Sequence, residues 1–254
     1  MATNVTTKVP PSVPSTFETR PVSPSIIAMT EYPAVFRRVY VWELPVRVFH
    51  WVNAIGIFLL FFTGLLIGNP LSVFTANEPF EQYWFGWVRF IHFATAYIVL
   101  FTFLFRVYWG FVGNQYARWS SYIPVKKEHW KDLLETIRVD ILQLKEKGRI
   151  SIGHNYLASL TYLGLFVIFI FQVVSGFGLY ASMSDSFIPQ LFTWIVPLMG
   201  GDANVREWHH ILMWPFAIFT VIHVYLTFYH DYVEGRGDLS SMLGGWKFEK
   251  DEDF

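Results

Sequence analysis

Four long apolar runs dominate the chain, and each is close to the length that crosses a lipid bilayer as a helix. A membrane-spanning helix needs about 20 mostly apolar residues, and turn-forming or polar residues such as Gly68-Asn69-Pro70 follow each run. The runs cover residues 46–68, 84–112, 156–181 and 208–229. The pattern predicts an all-α integral membrane protein, a four-transmembrane-helix bundle within residues 41–233.

The segments outside these runs differ in composition. Residues 1–40 are rich in Pro, Ser, Thr and Val, without the apolar core of a signal peptide, so we expect a flexible or surface-hugging arm. Residues 126–147 carry apolar side chains at helical spacing opposite a charged face. This predicts an amphipathic helix on the membrane surface or, alternatively, a docking helix for a partner. Residues 234–254 are expected to form a tail.

Positive charge is distributed unevenly among the connections. Five Lys and Arg residues occur up to Arg47, eight lie between the second and third runs, and three lie in the tail. The other two connections hold none before Arg89 and only Arg206, respectively. Because short loops rich in Lys and Arg stay in the cytoplasm, we expect both termini and the amphipathic helix to be cytoplasmic. The loops 69–83 and 182–207 would face outward.

Composition supports lipid as the main solvent and excludes several kinds of site. Of the 254 residues, 53% are hydrophobic and only 15% are charged, compared with about a quarter charged in globular chains. The net charge of −1 provides no basic excess for nucleic acid, so no nucleic-acid partner is expected. The absence of Cys excludes disulfides, thiolate zinc sites and iron-sulfur clusters, which leaves His and carboxylates as metal ligands.

Four of the eight histidines lie within the apolar runs, namely His50, His92, His209 and His223. Ionisable residues inside membrane helices are usually functional, although a single one often only bonds a neighbouring helix. His209 and His223 are 14 residues apart, about 40° from each other and roughly 21 Å along one helix. With alternating helix directions, His92 lies level with His209 near the outer surface, and His50 lies level with His223 near the inner surface.

Two histidines at each depth fit two six-coordinate haems stacked across the membrane. Zinc or copper would need three or four ligands at one place, and no Asp or Glu lies well inside any run. Haem iron with two imidazole ligands carries electrons and does not activate oxygen. His210 would point about 100° away from His209, so the spacing to His223 favours His209 as the ligand.

A weak internal repeat accompanies these histidines. The first and third runs end with Thr63-Gly64 and Ser175-Gly176, and the second and fourth both place an arginine three residues before a histidine. Arg47 also lies three residues before a histidine, His50 of the first run, so the arginines in this position are Arg47, Arg89 and Arg206. They are candidates for contacts to haem propionates, and the alternative is that they extend to the membrane surface.

Several sequence strings resemble the b-type cytochrome subunit of membrane-bound nickel-iron hydrogenases. They are Leu44-Pro-Val-Arg-Val-Phe-His50-Trp51, Arg89-Phe-Ile-His92-Phe93, Arg106-Val-Tyr-Trp-Gly-Phe-Val-Gly-Asn114, Ile152-Gly-His-Asn155, Trp208-His209 and His223-Val-Tyr225. The likeness covers about residues 41–248. More distantly the chain is similar to the gamma subunit of formate dehydrogenase N, which shares the four-helix, two-haem plan. The resemblance implies that His50 pairs with His223 and His92 with His209.

The resemblance also implies partners and a function. An iron-sulfur small subunit and a catalytic large subunit of the hydrogenase would bind the outer face and carry out the hydrogen chemistry. This chain would hold two haem b groups and relay electrons to quinone near the cytoplasmic face of a bacterial cytoplasmic membrane. His154 and Asn155, at the inner start of the third run, are candidate quinone ligands. The alternative is that they only cap the helix.

Other functions stay open at this point. One is the cytochrome b subunit of a complex like formate dehydrogenase, and another is a stand-alone di-haem oxidoreductase, for which outer loops of 15 and 26 residues leave little room for a substrate pocket. A transporter that uses histidines as proton relays is a further alternative, but the acidic residues expected in mid-membrane are missing.

Overall fold

The computed structural model describes residues 36–70, 83–122, 156–235 and 237–250, together with isolated positions between 130 and 138. The predicted N-terminal arm before residue 36, most of the predicted cytoplasmic helix, and the candidate quinone ligands His154 and Asn155 lie outside the described residues. Within the predicted cytoplasmic helix, Leu133 is buried whereas Trp130 and Leu134 are half exposed.

Helices make up most of the described chain, with one pair of strands near its two ends. The elements are β1 (Phe36–Tyr40), α1 (Leu44–Gly68), α2 (Trp84–Val112), α3 (Tyr156–Ala181), α4 (Phe187–Gln190), α5 (Ile195–Leu198), α6 (Asp202–Ile211), α7 (Trp214–Glu234), α8 (Asp238–Gly244) and β2 (Trp246–Lys250). Four segments are long and apolar enough to cross a membrane, namely α1, α2, α3 and the combined span Asp202–Tyr229. The prediction of a four-helix membrane protein is confirmed.

The apolar run 208–229 predicted one straight helix, but the fourth span consists of two helices, α6 and α7. A turn at Leu212 and Met213 separates α6 from α7. Pro215 follows this turn, and because proline has no backbone N–H it cannot donate to the carbonyl one turn earlier. The backbone N–H groups of Phe216 and Ala217 both donate to the Met213 carbonyl, at 3.2 and 3.3 Å, where the helix starts again. Ideal helix geometry therefore does not by itself give the positions of His209 and His223 relative to each other. The partners of these histidines follow from side-chain contacts.

Helices α1 and α2 pack closely because small and polar residues line their contact. A Cβ atom on Gly56 would lie 2.3 Å from Val99 Cγ2, so only glycine allows this approach. Asn53 donates to the Phe49 carbonyl at 2.9 Å and to Thr102 Oγ1 at 3.1 Å, which satisfies a buried amide inside the membrane segment. Many large apolar side chains of the spans are exposed, as expected where lipid surrounds them.

A two-stranded antiparallel sheet joins the two ends of the described chain. Strands β1 and β2 pair with Arg38 opposite Phe248 and Tyr40 opposite Trp246. Gly245, at φ +87°, directly precedes β2, and its carbonyl accepts hydrogen bonds from the N–H groups of Val41 and Trp42 at 2.9 and 3.0 Å. The pairing was not predicted from the sequence, and it places residues 36–40 and 246–250 on the same side of the bundle.

Polar contacts near this sheet connect the start of α1 to the end of α2. The Glu43 carboxylate accepts hydrogen bonds from Trp109 Nε1, at 3.0 Å, and from the backbone N–H of Asn114, at 2.9 Å. Asn114 Nδ2 donates to the Val41 carbonyl at 2.9 Å. Trp51 Nε1 donates to the Met242 carbonyl at 3.0 Å, which adds α8 to the same network. These bonds hold the helix end that carries His50.

Candidate cofactor site

His50 and His223, called the inner pair after their predicted depth, face each other across two helices. His50 lies in the second turn of α1 and His223 lies in the middle of α7. Their ring centroids are 6.3 Å apart with an interplanar angle of 56°. The structure thus brings together two histidines that are 173 positions apart in the sequence (223 minus 50).

Aromatic side chains surround the inner pair. Phe219 stacks on His223 at 5.2 Å and 17°, and Tyr162 of α3 approaches the same imidazole edge-on at 6.4 Å. Trp51 approaches His50 edge-on at 5.1 Å. His50 Nδ1 is buried and, among the described residues, has no hydrogen-bond partner. The pair therefore lies among aromatic side chains.

His92 and His209, called the outer pair, are each held by a hydroxyl group from a different helix. Thr63 Oγ1 of α1 lies 2.8 Å from His92 Nδ1, and Ser175 Oγ of α3 lies 2.8 Å from His209 Nδ1. His92 and His209 are close enough to interact electrostatically, and His210 is close to both. Gln172 Nε2 also donates to the His209 backbone carbonyl at 3.0 Å, which ties α6 to α3.

Glycines follow both hydroxyl residues in the sequence and lie beside the two imidazoles. A Cβ atom on Gly64 would lie 3.5 Å from His92 Cε1, and a Cβ atom on Gly176 would lie 3.0 Å from His209 Cε1. The second distance is tighter than ordinary van der Waals contact. The repeated pairs Thr63-Gly64 and Ser175-Gly176 thus have the same function in the fold, which is to hold one histidine ring against a neighbouring helix.

The donor set fits a cofactor that brings its own in-plane ligands. A metal ion held by protein alone normally needs three or four ligands, and within the described part of the chain no three His, Cys, Asp or Glu side chains gather for that purpose. In a six-coordinate haem, two metal–nitrogen bonds of about 2 Å and two half-rings of about 1 Å place the imidazole centroids roughly 6 Å apart. The 6.3 Å of the inner pair fits this arrangement.

The three arginines predicted near the histidines all contact protein groups. Arg47 Nη1 donates to the Leu243 carbonyl, and Arg89 Nη2 contacts the sulfur of Met183 at 2.7 Å. Arg206 forms an ion pair with Asp202 at 2.5 Å, one helical turn away and half exposed. Interactions of this exposed kind contribute little to stability.

Arg106, which sequence reasoning overlooked, is a buried cation without a described anion. Its side chain is 8% exposed, and its Nη1 is buried without a hydrogen-bond partner in the described part of the chain. The guanidinium lies over the rings of Trp119 and Tyr122, at 5.4 and 5.3 Å, and 6.0 Å from the ring of Phe49, the neighbour of His50. An arginine inside an apolar run was the available signal, because such residues are rarely without function.

His210 is oriented differently from His209. A Cβ atom on Gly68 would lie 1.9 Å from His210 Nε2, so this nitrogen faces the backbone at the end of α1. His210 Nε2 is also buried and has no hydrogen-bond partner among the described residues. No space for a flat macrocycle exists between this nitrogen and Gly68, which favours His209 as the ligand on α6.

The sequence of the chain is similar to those of known membrane cytochromes. Residues 41–245 match the family profile described as prokaryotic cytochrome b561. A probable Ni/Fe-hydrogenase B-type cytochrome subunit of Azotobacter vinelandii is 42% identical over 218 residues, which is 84% of this chain and 90% of the relative. The corresponding subunit of Bradyrhizobium diazoefficiens is 38% identical over 211 residues, which is 82% of this chain and 85% of the relative.

A more distant relative extends the comparison. The probable Ni/Fe-hydrogenase 1 B-type cytochrome subunit of Escherichia coli K12 is 32% identical over 216 residues, which is 83% of this chain and 91% of the relative. The matched region contains all four apolar spans and both histidine pairs. The chain therefore belongs to the prokaryotic cytochrome b561 family.

Proposed function

We propose that this chain is the membrane cytochrome b subunit of a nickel-iron hydrogenase, and that it relays electrons through two haem b groups to quinone. The observation that carries this proposal is the facing of His50 and His223 at 6.3 Å across α1 and α7. The names of the relatives support the hydrogenase as the partner enzyme.

Each histidine pair provides one position for electron transfer. When bound between two imidazoles, haem b carries one electron at a time and leaves no open coordination position for a substrate. His50 and His223 bind one group from α1 and α7, and His92 and His209 bind the other from α2 and α6. The chain has no Cys to hold iron-sulfur clusters. The electrons therefore come from a partner subunit.

Partner and orientation follow from the same proposal. The chain spans the bacterial cytoplasmic membrane with both termini in the cytoplasm, as the distribution of Lys and Arg indicates. The iron-sulfur small subunit and the catalytic large subunit then bind the outer face, where the segment from α4 to α5 exposes Phe187, Trp194 and Leu198. Cross-links from residues 182–207 to the iron-sulfur subunit would support this face, and cross-links found only from residues 113–155 would contradict it.

A reduced-minus-oxidised absorption spectrum of the purified chain tests the function most directly. We expect the bands of low-spin haem b at two haems per chain, unchanged by carbon monoxide because both axial positions are filled. A colourless protein would contradict the proposal. Carbon monoxide binding to the native protein would indicate an open iron position and an oxidoreductase that works without partners.

Four arginines are the candidates for binding haem propionates. Arg47, Arg89 and Arg206 remain candidates from their spacing to the ligands. Arg106 is the strongest of the four, because a buried cation without a counter-charge is unfavourable and none of the described residues supplies one. It also lies six residues from the inner end of α2, as His50 lies six residues from the start of α1. A propionate of the inner haem would supply the missing anion.

Replacing Arg106 with glutamine is expected to weaken retention of the inner haem and to lower its midpoint potential. A hydrogen bond to a charged group contributes about 1.5–3 kcal/mol, so we expect haem loss to be about tenfold to hundredfold faster. The rate of haem transfer to apomyoglobin, together with a redox titration, measures both effects. Arg106→Lys should retain most of the effect of the charge, and the exposed Arg118→Gln is the matched control. Unchanged haem retention in Arg106→Gln would contradict this assignment.

Quinone reduction is proposed to take place beside His154 and Asn155. The described helix α3 begins at Tyr156, directly after these residues, and its Tyr162 contacts His223 of the inner pair. The N-terminal part of α3, which follows His154 and Asn155 in the sequence, therefore contacts the inner pair.

Asn155→Ala is expected to leave both haem spectra intact and to raise the half-saturating quinone concentration about twofold to tenfold, because one hydrogen bond of roughly 0.5–1.5 kcal/mol is lost. Reoxidation of pre-reduced haem at varied quinone concentration, normalised to haem content, measures this. His154→Ala should act similarly, and the lipid-exposed Thr161→Val is the control. Unchanged half-saturation and maximal rate in both variants would mean that the residues only cap the helix.

A further inference from the structure

Hydroxyl groups contact both histidines of the outer pair in the same way. Thr63 Oγ1 and Ser175 Oγ each lie 2.8 Å from the Nδ1 atom of their histidine, His92 and His209 respectively. Thr63 is 8% exposed and Ser175 is fully buried, so water does not compete for either contact. Two equivalent contacts from two different helices indicate a shared role.

The direction of each hydrogen bond follows from the other bond that the hydroxyl makes. Thr63 Oγ1 donates to the Leu59 carbonyl at 2.5 Å, and Ser175 Oγ donates to the Phe171 carbonyl at 2.7 Å. A hydroxyl has a single hydrogen, and the backbone carbonyl takes it. The hydroxyl oxygen must therefore accept a hydrogen from Nδ1. Each imidazole is then the Nδ1–H tautomer, with the lone pair of Nε2 free to bind a metal.

His50 of the inner pair differs from the outer histidines in this respect. His50 Nδ1 is buried and has no hydrogen-bond acceptor among the described residues. A hydrogen bond from the second ring nitrogen orients a metal-bound imidazole and makes it a stronger electron donor. A stronger donor favours the ferric over the ferrous state, because the ferric ion carries the larger positive charge.

We propose that Thr63 and Ser175 are positioning residues for the outer pair, which set the tautomer of His92 and His209 and lower the midpoint potential of the haem between them. The inference rests on the proposed function, since it takes these histidines as ligands of one haem. A lower midpoint potential at the outer haem favours electron transfer from the outer to the inner pair.

The test compares variants that remove a hydroxyl with variants that keep it. Thr63→Val and Ser175→Ala remove the acceptor, Thr63→Ser retains it, and Thr161→Val is the matched control. Thr161 makes the same bond to the carbonyl four residues earlier, at 2.9 Å, but contacts no histidine in the described structure. Haem content and redox titrations are measured on the purified full chain, and His50→Ala, which should keep only the outer haem, assigns the potentials.

We expect Thr63→Val and Ser175→Ala to retain two haems and to raise the equilibrium constant for reduction of the outer haem about threefold to tenfold. This corresponds to about 28–59 mV at 59 mV per tenfold change for one electron. The inner midpoint potential should not change, and Thr63→Ser and Thr161→Val should match the unmodified chain.

One result would contradict the proposed function, and other results would contradict only the positioning role of Thr63 and Ser175. An unmodified chain without two haems would contradict the proposed function. Two haems with an outer midpoint potential unchanged in both Thr63→Val and Ser175→Ala would overturn the positioning role and leave the proposed function intact. An equal shift in Thr161→Val would also overturn it, because the effect would then come from the helix backbone. If one of the two main variants does not fold, the other decides.

Discussion

Replacing either His50 or His223 with alanine is expected to halve the haem content of the folded protein, from two haems per chain to one. The two rings face each other at 6.3 Å, so under the proposed function they would hold the same haem, and removing either one would deprive that haem of a ligand. The haem that remains should still be reduced by the hydrogenase with dihydrogen, because the outer pair is intact. Extracted haem per chain and the low-temperature reduced spectrum measure the loss.

The double variant His50→Ala with His223→Ala distinguishes a shared site from two separate ones. A shared site predicts that the double variant also keeps one haem, whereas two separate sites predict the loss of both. His50→Gly grown with imidazole should regain the second haem, since the free ligand can occupy the space of the missing side chain. If His50→Ala and His223→Ala lost haems with different spectra, the pairing would be wrong.

The outer pair is expected to depend on His209 and not on its neighbour. His209→Ala should lose the outer haem and with it the dihydrogen-driven reduction of the inner one, because the proposed function has electrons enter through the outer position. His210→Ala should keep both haems, since His210 Nε2 faces the backbone of Gly68. His92→Ala should have the same effect as His209→Ala. Haem content and the rate of inner-haem reduction by dihydrogen measure these outcomes.

Adjacent positions on α6 make this a matched comparison. His209 and His210 are both partly buried in the same helix, so a general loss of stability should affect the two variants alike. Loss of a haem in His210→Ala with retention in His209→Ala would mean that the helix is rotated relative to the arrangement described here, and that His210 pairs with His92.

The sequence was most informative about features that local composition controls. The predicted runs 84–112 and 156–181 coincide with α2 and α3 to the residue. The length of each apolar run reflects the thickness of the bilayer, and this constraint does not depend on contacts with other parts of the chain. The fourth run was predicted less well, because a proline in an apolar segment lowers its hydropathy very little while it interrupts the helix at Leu212 and Met213.

Features formed by distant segments were not predictable in the same way. Strand β1 pairs with β2 across about 200 residues, and neither segment shows a pattern that names its partner. Thr63-Gly64 and Ser175-Gly176 were visible as a repeat, but their contacts with His92 and His209 required the packing of four helices, α1 with α2 and α3 with α6. The sequence shows Arg106 as a charge in an apolar run. Only the fold shows that its Nη1 is buried and has no hydrogen-bond partner among the described residues.

By itself the sequence determined that the chain has four runs long and apolar enough to cross a membrane, and it predicted four histidines at two depths, since hydropathy and helical periodicity are local properties. The tertiary structure decided which hydroxyl group contacts each outer imidazole, which histidine of the adjacent two faces the backbone of Gly68, and which buried arginine has an Nη1 without a partner among the described residues. These properties depend on distances of a few ångströms between side chains of different helices. Helix packing sets such distances, and the order of residues along one helix does not encode them.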